Sequence, residues 1–150
     1  MRIVAPAILV GLGALVAWIT VFNVRGRERE RLIRNERGVQ SASGFAALFN
    51  TPTQKFIAEK LFTYLQLGTF TREFAFSKDD RLWSAPLAFV QDDLEDNLRQ
   101  GFWDDIGFGV TAEDHGFSRG VLSVETVGDL VERISAIYEE RYGTVENRSF

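Results

Sequence analysis

The chain has 150 residues, room for one modest domain and little else, and it contains no cysteine. Disulfide, zinc-thiolate and cysteine-nucleophile chemistry are therefore excluded. The net charge of -4 is unevenly divided, because residues 1–38 carry seven arginines and three glutamates (+4), while the rest carry ten Lys or Arg and eighteen Asp or Glu (-8). A basic front and an acidic body indicate two different partners.

The first predicted element is the uncharged run IVAPAILVGLGALVAWITVF, from Ile3 to Phe22. As a helix with about 1.5 Å rise per residue it covers the roughly 30 Å hydrocarbon thickness of a bilayer. The run predicts a transmembrane helix, with residues 1–24 as a membrane anchor. A cleaved signal peptide is the alternative, but its apolar region is usually about 7 to 15 residues long. Small residues four apart are compatible with a homo-oligomer packed through the span: Ala7 with Gly11, and Gly13 with Ala17.

Residues 25–50 are predicted to be a basic juxtamembrane segment and a linker. Only Arg2 precedes the apolar run, so the positive-inside rule predicts a single-pass inner-membrane protein whose C-terminal domain is cytoplasmic. Nucleic-acid binding is the weaker alternative, since a membrane anchor needs the same charges. The small, polar composition of residues 38–50, GVQSASGFAALFN, is typical of a linker. Four arginines are predicted to contact anionic lipid of the bilayer: Arg25, Arg27, Arg29 and Arg31.

Residues 51–143 are predicted to form a helical domain, followed by a tail at 144–150. The first helix of the domain begins with a cap at Thr51 or Thr53 and ends at Gly68. Pro86 argues against a helix through residues 69–90, which are predicted as a long loop or a short strand. The apolar stripe of the first helix consists of Phe56, Ile57, Leu61, Tyr64 and Leu65.

Two more helices are predicted after the loop. One runs from about Asp92 to Asp105, with acidic residues in its first turn, where the helix dipole favours negative charge. Its inward-facing residues are Leu94, Leu98, Phe102 and Ile106. The last helix begins at Thr126, which has capping-box spacing to Asp129. Its buried stripe is predicted to be Val127, Leu130, Val131, Ile134, Ile137 and Tyr138.

This order of features resembles the acyl carrier protein fold, over roughly residues 53–138. The similarity includes the loop sequence KDDRLW, the Asp-X-Leu entry to the second helix, the Phe-Gly-Val exit after it, and the last helix with TVGDLVERI. The resemblance implies a mainly α fold, a small carrier-like helical bundle behind one transmembrane helix. The chain also resembles uncharacterised bacterial carrier-like proteins.

Carrier proteins bear phosphopantetheine on the serine of Asp-Ser-Leu, and here Asp93 stands at that position. A carboxylate forms no stable phosphodiester, so the resemblance implies an unmodified Asp93 and no cofactor. An aspartate at a helix start also occurs for capping alone.

The sequence favours no enzyme and no metal site. Leu94 occupies a position where an EF-hand loop needs a ligand, and His115 has neither a second histidine nor a cysteine with which to share zinc. Ser84 and Ser118 lack a histidine at triad spacing.

The preferred interpretation is a membrane-tethered, non-catalytic interaction module. It is predicted to dock a protein with a basic patch through Asp92, Asp93, Glu95 and Asp96. The alternatives are an acyl or peptidyl carrier modified at another serine, and an immunity or inhibitor protein.

Overall fold

The computed structural model describes residues 4–71, 74–109 and 115–145, without the side chains of residues 4–9, 115 and 116. A π-helical turn at Leu98–Phe102 joins the helix Gln91–Asn97 to the short helix Trp103–Asp105. The predicted helical class agrees with these elements. The helices in chain order are α1 (Val4–Arg37), α2 (Ala42–Ala46), α3 (Pro52–Leu67), α4 (Gln91–Asn97), α5 (Trp103–Asp105), α6 (His115–Val121) and α7 (Val127–Tyr142).

The predicted transmembrane helix is contradicted. Within the described part of the chain, no helix has both the length and the apolar character needed to cross a membrane. Helix α1 carries charged side chains from Arg25 onward, and Glu30 in this part of the helix is buried against the folded body. The beginning of the predicted span, Ile3 to Leu9, lies outside the described side chains. The predicted single-pass inner-membrane localisation with a cytoplasmic domain is contradicted by the same finding.

The segment predicted as a linker is part of the folded body. Phe45, Ala46 and Phe49 are buried in the main core, and α2 is capped by the Ser41 hydroxyl, which accepts from the amide of Gly44. The ring of Phe45 packs edge-on against that of Phe49. Because apolar side chains here are surrounded by core residues, residues 38–50 connect α1 to α3 without forming a free hinge.

Helices α3 and α7 form the centre of the bundle, and both predicted caps are confirmed. Thr51 and Gln54 make a reciprocal capping box at the start of α3. Thr126 and Asp129 make the same arrangement at the start of α7. The predicted stripes face the core, with these residues fully buried: Ile57, Leu61, Leu65, Val127, Leu130, Val131 and Ile134.

The second predicted helix is divided into α4, the π-helical turn and α5. Its inward-facing residues are buried as expected: Leu94, Leu98, Phe102 and Ile106. The division falls at Gly101, and a Cβ there would lie 2.8 Å from the hydroxyl oxygen of Tyr64. Glycine at this position lets α3 approach the turn closely.

Side-chain amides, and no regular sheet, hold the connection between α3 and α4 where it is described. Gln66 accepts from the amide of Phe74 (3.0 Å) and donates to its carbonyl (2.7 Å). Gln40 does the same for Phe76, at 2.9 and 3.2 Å. The two rings are thereby placed in the core, where both are buried.

Helix α6 was not predicted. It positions Phe117 against the buried ring of Trp103, with centroids 5.3 Å apart. The Trp103 ring also stacks on Phe108, which in turn stacks on Tyr138 of α7. An aromatic cluster therefore joins α5, α6 and α7.

Candidate functional site

Three carboxylates of α4 are exposed: Asp92, Asp93 and Asp96. They are called the acidic face below. Leu94 and Leu98 are buried and fix the inner side of the helix, so the carboxylates can only face outward. No side chain caps α4 at Val90, and the acidic first turn complements the helix dipole.

Glu95 differs from this set, because it is buried with only 3% of its surface exposed. Its Oε2 lies 3.5 Å from Nε of Arg119. The same guanidinium reaches Asp92, with 3.9 Å between Nη2 and Oδ1. Glu95 was predicted to belong to the docking surface, but α6 brings Arg119 over it. Its carboxylate therefore joins α4 to α6 and is buried beneath Arg119, beside the acidic face.

A groove of about 750 Å³ lies between α1 and α4, and we call it the α1–α4 groove. Arg25 and Arg29 lie on its α1 wall, whereas Asp93 and Asp96 lie on its α4 wall. Between the charged walls the surface is largely apolar, with contributions from Phe22, Leu67, Phe70, Leu87, Phe89, Val90 and Leu94.

The α1 wall is fixed by a buried carboxylate. Glu30 is 3% exposed and accepts hydrogen bonds from the amides of Phe70 (3.0 Å) and Thr71 (2.8 Å). It also accepts from the Thr71 hydroxyl at 3.0 Å. The Phe70 ring lies so close to α1 that a Cβ at Gly26 would be 2.5 Å from it. A side chain at position 26 would therefore require the Phe70 ring to shift.

A second carboxylate fixes the end of α1. Asp80, 3% exposed, accepts a bidentate pair from Arg37, at 2.7 and 2.9 Å. It also accepts from the amide of Ser77 at 2.8 Å, and Arg37 donates to the carbonyl of Ala75 at 3.1 Å. The pKa of Arg37 is raised above its ordinary value, chiefly by its hydrogen bond to Asp80, although burial opposes the shift.

The four arginines predicted to contact lipid are all exposed but lie in two places. Arg25 and Arg29 line the α1–α4 groove, while Arg27 and Arg31 do not. On a helix, residues four apart share a face and residues two apart do not, which explains the division. Their contact with anionic lipid stays a prediction.

Tyr64 and Asp105 form a separate polar contact, with 2.6 Å between the phenol oxygen and Oδ2. Desolvation, followed by the hydrogen bond to Asp105, raises the pKa of Tyr64 to about 12. At neutral pH the phenol is protonated and donates to the carboxylate. This contact pins α5 to α3 beside Gly101.

The remaining sequence candidates do not converge on a reactive centre. Ser118 is completely buried, Ser84 is exposed on the connection between α3 and α4, and the side chain of His115 lies outside the described residues. Across the described ranges, no three His, Cys, Asp or Glu side chains are grouped to hold a metal ion.

The α1–α4 groove was not predicted from the sequence. The available signal was the spacing of Phe22, Arg25 and Arg29, which places the three on one face of a continuous helix. It was missed because a membrane anchor and a linker were expected to separate α1 from the body.

No protein-family model, curated protein or solved structure matches this chain.

Proposed function

We propose that the chain is a non-catalytic interaction module with a carrier-like bundle, which docks a protein partner bearing a basic patch through the acidic face. The observation that supports this is the outward position of Asp92, Asp93 and Asp96 on a helix whose inner side is buried. Clustered carboxylates of this kind steer association with a positively charged surface and select against acidic ones.

The ion pairs of Asp92 and Asp96 are loose and leave both carboxylates open to solvent. Asp92 lies 3.9 Å from Arg119 and Asp96 lies 3.4 Å from Arg99, and the two carboxylates are 80% and 64% exposed. Ion pairs so open to solvent contribute at most about 1 kcal/mol. The carboxylates are therefore available to a partner.

The carrier resemblance contributes the second argument. The order α3, long connection, α4, short α6 and α7 is compatible with the bundle that the resemblance implies. Asp93, which the resemblance matches to the carrier serine, is exposed, and its carboxylate would give no stable phosphodiester. The proposal is thus a carrier-like surface without a prosthetic group.

A charge-matched capture experiment tests the docking face. The full chain carrying a photo-crosslinking residue at position 100, beside the acidic face, is used in extracts of its native cells, and the partner is identified by mass spectrometry. We expect Asp92→Lys, Asp93→Lys and Asp96→Lys together to abolish capture of that partner. The control reverses the exposed Glu59, Glu132 and Glu140 to Lys, with the same change in net charge, and should retain capture. Equal loss in both variants would contradict the proposal.

The absence of an arm is tested by mass. The purified chain is incubated with a phosphopantetheinyl transferase and coenzyme A, beside a carrier protein as positive control. We expect no stable mass gain on the wild type, and Asp93→Ser tests whether a hydroxyl at this position suffices for loading. A stable gain on the wild type would replace the proposal by a working carrier.

A further inference from the structure

The two walls of the α1–α4 groove carry opposite charges. On α1, Arg25 and Arg29 are one turn apart and exposed, and neither makes an ion pair with a described residue. On α4, Asp93 and Asp96 are also one turn apart and exposed. The groove is therefore basic along one helix and acidic along the other.

The surface between the walls is apolar and open. Leu67, Phe70 and Val90 are 62%, 45% and 59% exposed although they adjoin the core. On the α1 side, Phe22 is 57% exposed. Apolar side chains concentrated in one concave place, rather than scattered singly, mark an interaction site.

The groove is already formed in the free chain. The three hydrogen bonds to Glu30 and the packing of Phe70 on Gly26 hold α1 at a fixed place beside the connection. Ala88, which lines the groove, has a φ of 51°, the left-handed region that residues with a Cβ rarely adopt. Such backbone persists only where its surroundings over-determine it, and it clusters at binding sites.

We propose that the α1–α4 groove binds an amphipathic helix of a protein partner. The apolar stripe of that helix enters between the walls, with acidic residues bordering it toward Arg25 and Arg29 and basic residues bordering it toward Asp93 and Asp96. The inference rests on the proposed function and deepens it, because it gives the partner a shape as well as a charge.

The geometry favours a helix over other occupants. Both walls are themselves helices, and an apolar groove between helices accepts the apolar face of a third at i, i+3, i+4 and i+7 spacing. A single-chain anionic amphiphile would match the two arginines, yet it would leave its head group beside Asp93 and Asp96. A helix with mixed borders satisfies both walls.

Three labelled model peptides with one apolar stripe test the proposal by fluorescence anisotropy on the full chain. Their stripes are bordered by Glu on one side and Lys on the other, by Lys on both sides, or by Glu on both sides. We expect the mixed peptide to bind about tenfold more tightly than either of the others, because each of those places like charges against one wall. Equal affinities would overturn the proposal.

Charge reversal then assigns the walls. Arg25→Glu with Arg29→Glu should shift preference to the Lys-bordered peptide, and Asp93→Lys with Asp96→Lys should shift it to the Glu-bordered peptide. The control, Arg27→Glu with Arg31→Glu, changes the charge of α1 by the same amount outside the groove and should leave the order unchanged. An equal shift in the control would place the peptide elsewhere and overturn the proposal.

Two further outcomes separate this inference from the proposed function. Binding of laurate at the groove, reported by a tryptophan fluorescence change that Trp18→Phe abolishes, without binding of any peptide would indicate an amphiphile site and overturn the helix proposal. If the acidic face is needed to capture the natural partner but Arg25→Glu with Arg29→Glu changes no peptide affinity, the groove inference fails while the proposed function stands. If reversal of the acidic face changes neither the capture of the partner nor the peptide preference, both the groove inference and the proposed function are overturned.

Discussion

The carboxylates of this chain fall into two groups that use the same chemistry differently. Glu30, Asp80 and Glu95 are each 3% exposed and accept hydrogen bonds or pair with arginine. Asp92 and Asp96 are mostly exposed and have only loose arginine neighbours. One group holds the fold together, whereas the other leaves its charge at the surface.

The difference lies in what each carboxylate reaches along the chain. Glu30 contacts residues 40 and 41 positions away, and Asp80 contacts an arginine 43 positions away. Asp96 pairs with an arginine three positions away, in the π-helical turn that follows α4. Asp92 also reaches a distant residue, Arg119, but only at 3.9 Å and with most of its side chain exposed. Buried carboxylates with close partners far along the chain fix tertiary structure, and exposed ones with local or loose partners stay free for recognition. Substitutions should separate the two groups by the size of their effect on stability.

The largest effect is expected for Asp80→Ala. It removes a buried charge that accepts two hydrogen bonds from Arg37 and one from Ser77. Breaking a fully buried pair costs about 3 to 5 kcal/mol of unfolding free energy, and this is the upper bound here because Arg37 is 33% exposed. Urea denaturation measures it, and the exposed neighbour Asp79→Ala is the control, expected to change stability by less than about 0.5 kcal/mol. Similar losses in both variants would mean that the Arg37 pair does not hold α1.

A smaller loss is expected for Glu30→Ala, about 2 to 3 kcal/mol, because two backbone amides and one hydroxyl lose a charged acceptor. The exposed Glu28→Ala, two residues earlier on α1, is its control. Hydrogen exchange gives a local readout, since the amides of Phe70 and Thr71 should lose protection in Glu30→Ala only. Unchanged exchange at these amides would show that Glu30 does not fix the wall of the groove.

The sequence predicted the parts of the fold that depend on local signals. The caps at Thr51 and Thr126, and the apolar stripes of α3 and α7, follow from spacing within one helix, and the structure has them there. Leu94 and Leu98 were likewise predicted to be buried. Patterns of this kind are complete within about ten residues, so no tertiary information is needed to read them.

Polar contacts between residues far apart in the chain could not be predicted from the sequence. Helix α6 has only seven residues, two of them glycines, so it is too short to show a helical pattern of apolar residues. Without it nothing suggested that Arg119 would cover Glu95, so Glu95 was grouped with its exposed neighbours. The attachment of α1 was missed for the same reason, since Glu30 looks like one more charge in a charged run. The membrane interpretation then separated α1 from the body.

Asp105 is an intermediate case, because it is exposed yet accepts a hydrogen bond from Tyr64. The pKa of Tyr64 is raised to about 12 in the folded chain, above its ordinary value of 10.0. The stability from this contact is therefore fully present below pH 10 and is lost as the pH rises toward 12. Thermal melts of wild type and Tyr64→Phe should differ below pH 10 and converge across that window. A constant difference would mean that Tyr64 does not titrate there.

The smallest effect on stability is expected at the acidic face. Asp92→Lys with Asp96→Lys removes two exposed ion pairs and places a positive charge in the first turn of α4, which together should cost about 1 kcal/mol or less. Buried Glu95→Lys, on the same helix, should cost several times more, because it would bury an ammonium group in place of a paired carboxylate.

Binding should show the reverse order of effects. Rim charges act on association over a screening length of about 8 Å at physiological salt, so the double variant should associate more slowly with the captured partner and lose most of its salt dependence. Stopped-flow association at two salt concentrations, beside urea denaturation of the same samples, measures both quantities. If the double variant unfolds as readily as Glu95→Lys, the exposed carboxylates are structural after all. The division into two groups would then be wrong for the acidic face, on which the proposed function depends.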